Sequence, residues 1–295
     1  MKNNSPISMP KSSTQKETFK ALQFMLISVL AFTIMNTLIK YLQHLPAFEL
    51  VFFRSIGSSI ICLFLLKKQG IPILGNQRKL LITRGLVGVT AMFLFFAVIK
   101  LIPFGSAVSL RYISPIFAGI LAIFILKERI TPLQWACFFL AFIGVLLIKG
   151  VDTRVSFLGL GLITLSAFFS GMVYIIIRKI GQRDHPLVVV NYFMFTATCV
   201  GAIFSIFNWQ SPVGIEWGIL LSMGIFGFFG QLFMTKAYQI AAIGTVAPMK
   251  YLEAVFALIV GWFWFGEGYT ILGLVGIGLI IFGMLLNIYV KGRSN

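Results

Sequence analysis

Residues 105–128, GSAVSLRYISPIFAGILAIFILKE, and residues 244–267, GTVAPMKYLEAVFALIVGWFWFGE, are two versions of one apolar pattern. A shift of the chain by 139 residues aligns them without a gap. The matches that fix this register are Gly105 with Gly244, Arg111 with Lys250, Tyr112 with Tyr251 and Glu128 with Glu267. Apolar helices match by chance at leucine and phenylalanine, but much less readily at glycine, tyrosine and glutamate together. The two stretches therefore predict an internal duplication.

The composition around these stretches is that of a membrane protein. Of the 295 residues, 59% are hydrophobic and only 11% are charged, whereas an average soluble domain has about 25% charged residues. The mean hydropathy is +0.97. These values exclude a water-soluble globule, and such high hydrophobicity also excludes an intrinsically disordered chain.

Apolar segments long enough to cross a bilayer recur along the whole chain. About 20 apolar residues of helix span the hydrocarbon layer, and helices are expected because every backbone amide in lipid must be paired within its own segment. The ten predicted spans are Phe19–Ile39, Phe48–Leu66, Leu80–Ile99, Phe104–Leu126, Thr131–Ile148, Phe157–Ile177, Leu187–Phe207, Trp217–Tyr238, Ile243–Phe265 and Tyr269–Val290.

The duplication and the number of spans together predict the topology. A unit of five crossings ends on the opposite side of the membrane from its start, so the second copy must be inserted upside down. We expect an all-α membrane protein with ten transmembrane helices in a 5+5 inverted-topology repeat, an organisation typical of secondary transporters. Residues 19–148 form the first repeat and 157–290 the second, while 1–18 and 291–295 are expected to be cytosolic tails.

The formal net charge of +16 is explained by topology. With ten spans, 16 lysines and arginines flank the membrane on the side of the two termini and four on the other side. The positive-inside rule then places both termini in the cytosol. We expect a multi-pass protein of the plasma membrane, in bacteria the inner membrane, and no nucleic-acid partner, because no soluble surface carries these charges.

The two quoted stretches make the chain similar to the drug/metabolite transporter superfamily, in its ten-helix EamA type with two five-helix repeats. Each stretch has a small-residue start, a proline and a final glutamate, and the resemblance covers nearly the whole chain. It implies a central cavity lined mainly by helices 1, 3, 4, 6, 8 and 9, with helices 5 and 10 peripheral. The prolines differ in position, Pro115 late and Pro248 early, so the two kinks need not be equivalent.

Charged residues within the spans are the first candidates for the site, because a charge at the centre of a span costs at least about 2.5 kcal/mol. Arg111 and Lys250 occupy matching positions in oppositely directed helices, where each could receive an anionic group. Alternatively, Lys250 only pairs with Glu253, three residues further along the same helix face. Arg84 lies within about a turn of a helix end, and Arg54 lies deeper, about 9 Å along its helix. Both are interpreted as gate residues or interface anchors, although Arg54 could instead pair with a neighbouring carbonyl.

Glu253 is the candidate for proton coupling, since it is the carboxylate predicted nearest to the middle of the bilayer. It could load and release a proton as the cavity changes face, or it could be one half of a purely structural pair with Lys250.

Uncharged polar residues at helical spacing suggest a wet interior. Hydrogen bonding between helices would use the same residue types, so either interpretation fits any single stripe. With the two matched tyrosines, the uncharged candidates for substrate binding are Asn36, Tyr112, Ser170, Tyr174, Gln231, Tyr238 and Tyr251.

The sequence lacks the residues that other functions require. No His motif for a metal, no intramembrane acid–base pair and no phosphate-binding loop can be recognised, so we expect no cofactor, no metal and no enzyme. The prediction is a secondary transporter, proton-coupled or exchanging, for a small anionic or zwitterionic metabolite such as an amino acid or an adenosyl-type compound. The alternatives are an exporter of lipophilic drug-like cations and a non-transporting receptor or assembly factor. The partners are the substrate and the lipid bilayer, and the protein is a monomer or a homodimer.

Overall fold

The structure is a computed structural model that describes residues 15–42, 44–99, 101, 110–149, 156–266 and 271–293. Some features of the sequence analysis lie outside these ranges. They are the N-terminal tail up to residue 14, the predicted start of the fourth span at Phe104 with Gly105, the predicted start of the tenth span at Tyr269 with Glu267, and residues 294 and 295.

The described residues fold into helices and contain no strand. We number the segments α1 Gln15–Tyr41, α2 Ala47–Lys68, α3 Arg78–Ile99, α4 Ser114–Leu121 with a π-helical turn at Ala122–Leu126, α5 Pro132–Lys149, α6 Phe157–Ile180, α7 Pro186–Ser205, α8 Glu216–Ile240, α9, and α10 Ile271–Arg293. Segment α9 has three consecutive parts, which are helix Ile243–Val246, 3-10 turn Ala247–Tyr251 and helix Leu252–Phe265.

Most helix ends lie within a few residues of the predicted spans. The fourth span is the exception, because its predicted start at Phe104 lies outside the described residues and α4 begins at Ser114. Polar residues extend two other helices beyond their apolar spans. Helix α1 begins at Gln15 and not at Phe19, and α10 continues to Arg293 beyond the predicted end at Val290. Glutamate, glutamine, lysine and arginine are good helix formers, so an apolar span does not end where its helix ends.

Six helices within the described residues are long and apolar enough to cross a membrane, namely α1, α2, α6, α7, α8 and α9. Shorter apolar stretches lie in α4, α5 and α10. A helix pairs most of its backbone groups within its own segment, which is what lipid requires. The chain is a multi-pass membrane protein, and the total of ten crossings remains a prediction.

The connections between helices gather at two ends of the bundle. At one end, Gln77 Nε2 donates to the carbonyl of Ile180 at 3.0 Å; we call this the basic end, because α2, α4 and α6 finish there with lysines and arginines. At the other, His44 Nε2 lies 2.8 Å from Glu216 Oε1 and the amide of Gln210 donates to Glu49 at 3.0 Å. We call this the opposite end.

Helices from the two halves of the chain pack against each other throughout the bundle. Helix α1 packs along α8, α2 along α7, and α3 along α6, while α2 also contacts α8 and α3 contacts α7. Helices α5 and α10 pack mainly on each other, which is the peripheral position that the resemblance implies. Segments α4 and α9 contact α6 and α1 respectively.

Glycines allow the closest helix crossings. A methyl group added to Gly57 of α2 would lie 3.1 Å from the Cα of Gly224 in α8, and one added to Gly224 would lie 2.9 Å from the Cα of Gly57. Between α5 and α10, a methyl group on Gly144 would lie 2.6 Å from the carbonyl oxygen of Gly276. These distances are too short for a side chain, so backbones meet directly at both crossings.

Candidate functional site

Segments α4 and α9 are interrupted where the repeat places its matched cations. Pro248 lies in the 3-10 turn Ala247–Tyr251, and Pro115 lies in the first turn of α4. Proline has no amide hydrogen to donate, so it is tolerated at the start of a helix and not in its interior. A helix therefore begins inside the bundle in both halves, with Arg111 just before one start and Lys250 just before the other.

Lys250, Glu253 and Asn36 form a hydrogen-bonded group between α1 and α9. Lys250 Nζ lies 2.6 Å from Glu253 Oε2, and both side chains are only 12% exposed. Asn36 Nδ2 donates to the other carboxylate oxygen, Oε1, at 2.7 Å. The ammonium also lies over the ring of Phe32, 4.6 Å from its centroid. Both oxygens of this carboxylate are thus bound by charged or polar donors.

Two arginines bring further positive charge to this group. Arg54 lies within electrostatic range of both Arg111 and Glu253, and its Nε has no hydrogen-bond partner among the described residues. Arg111 is exposed and lies over the ring of Phe95 at 4.5 Å. We call Asn36, Arg54, Arg111, Lys250 and Glu253 the charged group. It contains three cations and one carboxylate.

The four predicted tyrosines lie together beside the charged group. The rings of Tyr174 and Tyr238 stack at 4.6 Å, and those of Tyr112 and Tyr251 lie 6.3 Å apart. Tyr112 is half-buried within electrostatic range of Glu253, whereas the other three rings are buried. This tyrosine cluster joins residues from α6, α8, α9 and the turn before α4.

Arg84 does not reach the membrane surface, contrary to the anchor interpretation. Its side chain is 1% exposed, and Nη2 donates to Gln231 Oε1 at 3.0 Å. The guanidinium lies over the ring of Phe193 at 4.4 Å, in space that the absent side chain of Gly88 leaves free. The guanidinium therefore points into the bundle. Arg54 likewise lies in the charged group and not at an end.

Several of the uncharged polar residues at helical spacing make hydrogen bonds within or between helices. Ser166 Oγ donates to the carbonyl of Ala91 at 2.7 Å, which ties α6 to α3. On α1, Thr33 donates to a carbonyl of its own helix. Of these two polar residues of α1, it is therefore Asn36 that belongs to the charged group. Ser170 is buried in α6, 6% exposed.

The basic end holds a second buried ion pair, which the sequence analysis missed. Arg178 Nε lies 3.2 Å from Glu128 Oε1, with the two side chains 6% and 11% exposed. Glu128 Oε2 accepts a hydrogen bond from the amide of Ile243 at 2.9 Å, and Arg178 Nη1 donates to the carbonyl of Gln239 at 3.2 Å. These contacts join α4, α6, α8 and α9. Glu128 could have indicated this pair, because it ends the repeated sequence pattern. Arg178 was counted only among the positive charges that set the topology.

The two ends of the bundle differ in access. Asn36 lies five residues before the end of α1, and Arg54 seven residues after the start of α2, both in the half nearer the opposite end. Asn36 and Arg111 are exposed, while the Glu128–Arg178 pair at the basic end is buried. The exposed members of the charged group thus lie in the half of the bundle nearer the opposite end, whereas the ion pair at the basic end is buried.

Within the described residues, no cluster of three metal-ligating side chains exists. The three cysteines are free, and Cys62 and Cys137 are buried.

Comparisons with known proteins match the chain along almost its full length. Residues 19–150 and 157–289 each match the EamA-like transporter family. The chain is 30% identical to the pseudopaline exporter CntI of Pseudomonas aeruginosa (strain UCBPP-PA14), over 87% of this chain and 92% of that protein. It is 31% identical to human solute carrier family 35 member G1, over 80% of this chain and 70% of that protein. It is 28% identical to the S-adenosylmethionine uptake transporter of Rickettsia prowazekii, over 91% and 92%.

A solved crystal structure has the same fold, with a TM-score of 0.82 at 17% identity, over 92% of this chain and 98% of that one. The family matches twice in tandem, and the names of the relatives are those of transporters. The resemblance to the drug/metabolite transporter superfamily is thereby confirmed. On the two family matches and the 30% identity over most of its length, this chain belongs to the EamA-like transporter family.

Proposed function

We propose that the protein is a secondary transporter that moves a small anionic or zwitterionic metabolite through the centre of the bundle by alternating access. The observation that carries this proposal is the charged group, in which Arg54 and Arg111 adjoin the hydrogen-bonded Lys250, Glu253 and Asn36. Charges inside a membrane protein are expensive and face a cavity or a partner. A substrate path accounts for all of them at once.

The sign of the charged group favours a substrate that carries a carboxylate. The charge of Glu253 balances that of Lys250. Within the described residues, neither of the two arginines forms an ion pair with a carboxylate of the protein. A guanidinium binds a carboxylate through two parallel hydrogen bonds. Amino acids and adenosyl-type compounds carry such a carboxylate, and the relatives named for S-adenosylmethionine uptake and pseudopaline export support a small-molecule cargo.

The packing of the helices supports an inverted 5+5 repeat of ten crossings. An exchange of α1–α5 with α6–α10 maps each helix onto the helix five places away in the numbering. It turns the contact between α1 and α8 into the contact between α6 and α3, and the contact between α1 and α9 into the contact between α6 and α4. All four contacts exist, and α2 with α7 and α5 with α10 each map onto themselves. A two-fold axis in the membrane plane produces this pattern, and it gives the bundle two similar ways of packing its halves.

In this proposal the conformation described here is open towards the opposite end and closed at the basic end. The Glu128–Arg178 pair is the gate, because it joins the first repeat to the second at the point where α9 starts. The positive-inside rule makes the basic end cytosolic, with both termini on the same side.

Glu253 is the residue we propose for proton coupling. Its carboxylate competes with a substrate carboxylate for Lys250, which lies 2.6 Å away. A proton taken up by Glu253 would release Lys250 to bind the substrate, and loss of that proton would restore the pair and expel the substrate. Simple exchange of substrates requires no such proton.

The test is flux into proteoliposomes of purified protein, with labelled S-adenosylmethionine and a mixture of labelled amino acids, with and without a pH gradient. We expect uptake of at least one probe that responds to the gradient, and a Glu253→Gln variant that has lost this response. Glu216→Gln, a partly exposed carboxylate at the opposite end, is the matched control and should behave as the wild type.

Three results would contradict parts of the proposal. No flux of any probe would exclude this substrate class, and flux limited to lipophilic cations would favour a drug exporter. Flux that is indifferent to the gradient in the wild type would exclude proton coupling and leave exchange.

A further inference from the structure

Arg84 is a buried charge outside the charged group. It lies on α3, is 1% exposed, and has one hydrogen bond in the described structure, from Nη2 to Gln231 Oε1 at 3.0 Å. Its Nε and Nη1 have no hydrogen-bond partner among the described residues. The ion pairs found in these residues do not include Arg84.

Such an arrangement is costly without a ligand. An arginine resists deprotonation, and a buried charge without a counter-charge or a full set of hydrogen bonds strongly destabilises a protein. The ring of Phe193, 4.4 Å from the guanidinium, and the amide oxygen of Gln231 offset only part of this cost. Two donors therefore remain available for an acceptor that the polypeptide does not provide.

The surroundings of Arg84 leave room for its guanidinium and connect it to the centre of the bundle. A side chain at Gly88 would collide with Nη1 and with Phe193. Arg84 also lies within electrostatic range of Tyr174, which stacks on Tyr238 in the tyrosine cluster. It is six residues from the start of α3 at the basic end, a distance of about 9 Å along the helix.

We propose that Arg84 and Gln231 form a second binding station, which holds the carboxylate of the transported molecule beside Tyr174 of the tyrosine cluster and nearer to the basic end than the charged group is. This inference rests on the proposed function and adds to it a residue pair that selects the substrate carboxylate. The charged group uses α1, α2, α9 and the turn before α4, whereas this station uses α3 and α8. The carboxylate passes from one to the other as the tyrosine cluster rearranges, so it stays paired with an arginine across the apolar layer.

The test uses Arg84→Met, which removes the charge and keeps an apolar chain of similar length. The probes are S-adenosylmethionine with its decarboxylated form, and L-methionine with L-methioninamide. Thermal unfolding of purified protein is measured against the concentration of each probe, since a ligand of the folded state raises its stability. Arg78→Met is the matched control, an exposed arginine six residues earlier on the same helix.

For the wild type, we expect each probe that binds to bind at least about tenfold more tightly than its partner without the carboxylate, which is about 1.4 kcal/mol. Arg84→Met should reduce this preference by weakening the carboxylate form alone, and the charged group accounts for the preference that remains. Its unliganded transition temperature should stay the same or rise, because a buried uncompensated charge has been removed. Arg84→Lys keeps the charge but lacks the planar guanidinium, so it should lose part of the preference. This variant replaces Arg84→Met if Arg84→Met does not fold.

The outcomes separate this inference from the proposed function. A wild type that prefers the carboxylate forms, with Arg84→Met and Arg84→Lys showing the same preference, overturns the second station and leaves the proposed function standing. A wild type that binds and transports none of the probes overturns both.

Discussion

The segment around α4 and segment α9 have matching sequences, but the cations in them differ in exposure and in ion pairing. Lys250 is 12% exposed and paired with Glu253 at 2.6 Å, whereas Arg111 is exposed and pairs with no carboxylate of the described residues. The position that matches Glu253 is held by Ser114. Duplication thus preserved the interrupted helix and the cation, while a carboxylate is present in only one copy.

The two cations share a contact with an aromatic ring. Each cation lies over a phenylalanine ring at nearly the same distance, Arg111 over Phe95 at 4.5 Å and Lys250 over Phe32 at 4.6 Å. The difference therefore lies in the carboxylate. One repeat thus holds a cation paired with a carboxylate, while the matching cation of the other repeat has no carboxylate partner among the described residues.

The largest expected effect comes from removing each cation in turn. Lys250→Met leaves the carboxylate of Glu253 without its counter-charge, so the free energy of unfolding should fall by about 3 kcal/mol. Arg111→Met removes an exposed contact with a ring and should cost at most about 1 kcal/mol. Denaturant unfolding in detergent micelles measures both.

The control for this comparison is the double variant Lys250→Met with Glu253→Gln, which removes both charges and should recover much of the lost stability. Equal losses for the two single variants would show that Arg111 is also held by a counter-charge, and the proposed asymmetry would be wrong.

An intermediate effect is expected at the end of α4, where Glu128 closes the basic end. Glu128→Gln removes the charge that holds Arg178, so states open at this end should become more populated. The reporter is a single cysteine at Thr245, which is 2% exposed in the first turn of α9, in a protein whose native cysteines are replaced. Labelling by an impermeant maleimide from the basic end should rise about tenfold, which requires only about 1.4 kcal/mol.

Lys179→Gln is the control for the gate, because Lys179 is an exposed neighbour of Arg178 on the same helix. It should leave the labelling rate unchanged. An unchanged rate in Glu128→Gln as well would mean that apolar packing, and not the ion pair, closes the basic end.

The smallest effect is expected for the matched tyrosines. The hydroxyl of Tyr251 is buried without a hydrogen-bond partner among the described residues, so Tyr251→Phe should change the unfolding free energy by less than about 1 kcal/mol and could increase it. Tyr112→Phe should leave stability unchanged and weaken the binding of a transported probe, because Tyr112 lies near Glu253. Thermal shifts with and without the probe measure both effects. A large loss of stability in Tyr251→Phe would instead reveal a water-bonded hydroxyl.

The positions of the helices could be predicted from hydropathy because lipid imposes both helix and length. What hydropathy does not encode is the local form of a helix. The π-helical turn Ala122–Leu126 has the same apolar character as its neighbours, and the 3-10 turn Ala247–Tyr251 differs from its neighbours by a proline and a lysine. Pro248 signals a break, but nothing in the sequence around Ala122 does.

The candidate site was predictable where its residues are neighbours in the sequence. Lys250 and Glu253 are three residues apart on one helix, so their pair was foreseen. Asn36 reaches Glu253 from 217 residues away, and such contacts depend on how the helices pack. Arg84 was misinterpreted for the same reason, since its distance from a helix end does not tell whether it faces lipid or protein.

The crossing of Gly57 and Gly224 has a mechanical consequence. The two helices that meet there belong to different halves, and their contact is backbone against backbone, with no long side chains to disengage. A rigid rocking of one half on the other can keep this point fixed as a pivot, while the ends of the same helices sweep the largest arcs. A bulkier residue at either glycine would act as a wedge and shift the balance between inward-facing and outward-facing forms without touching the substrate path.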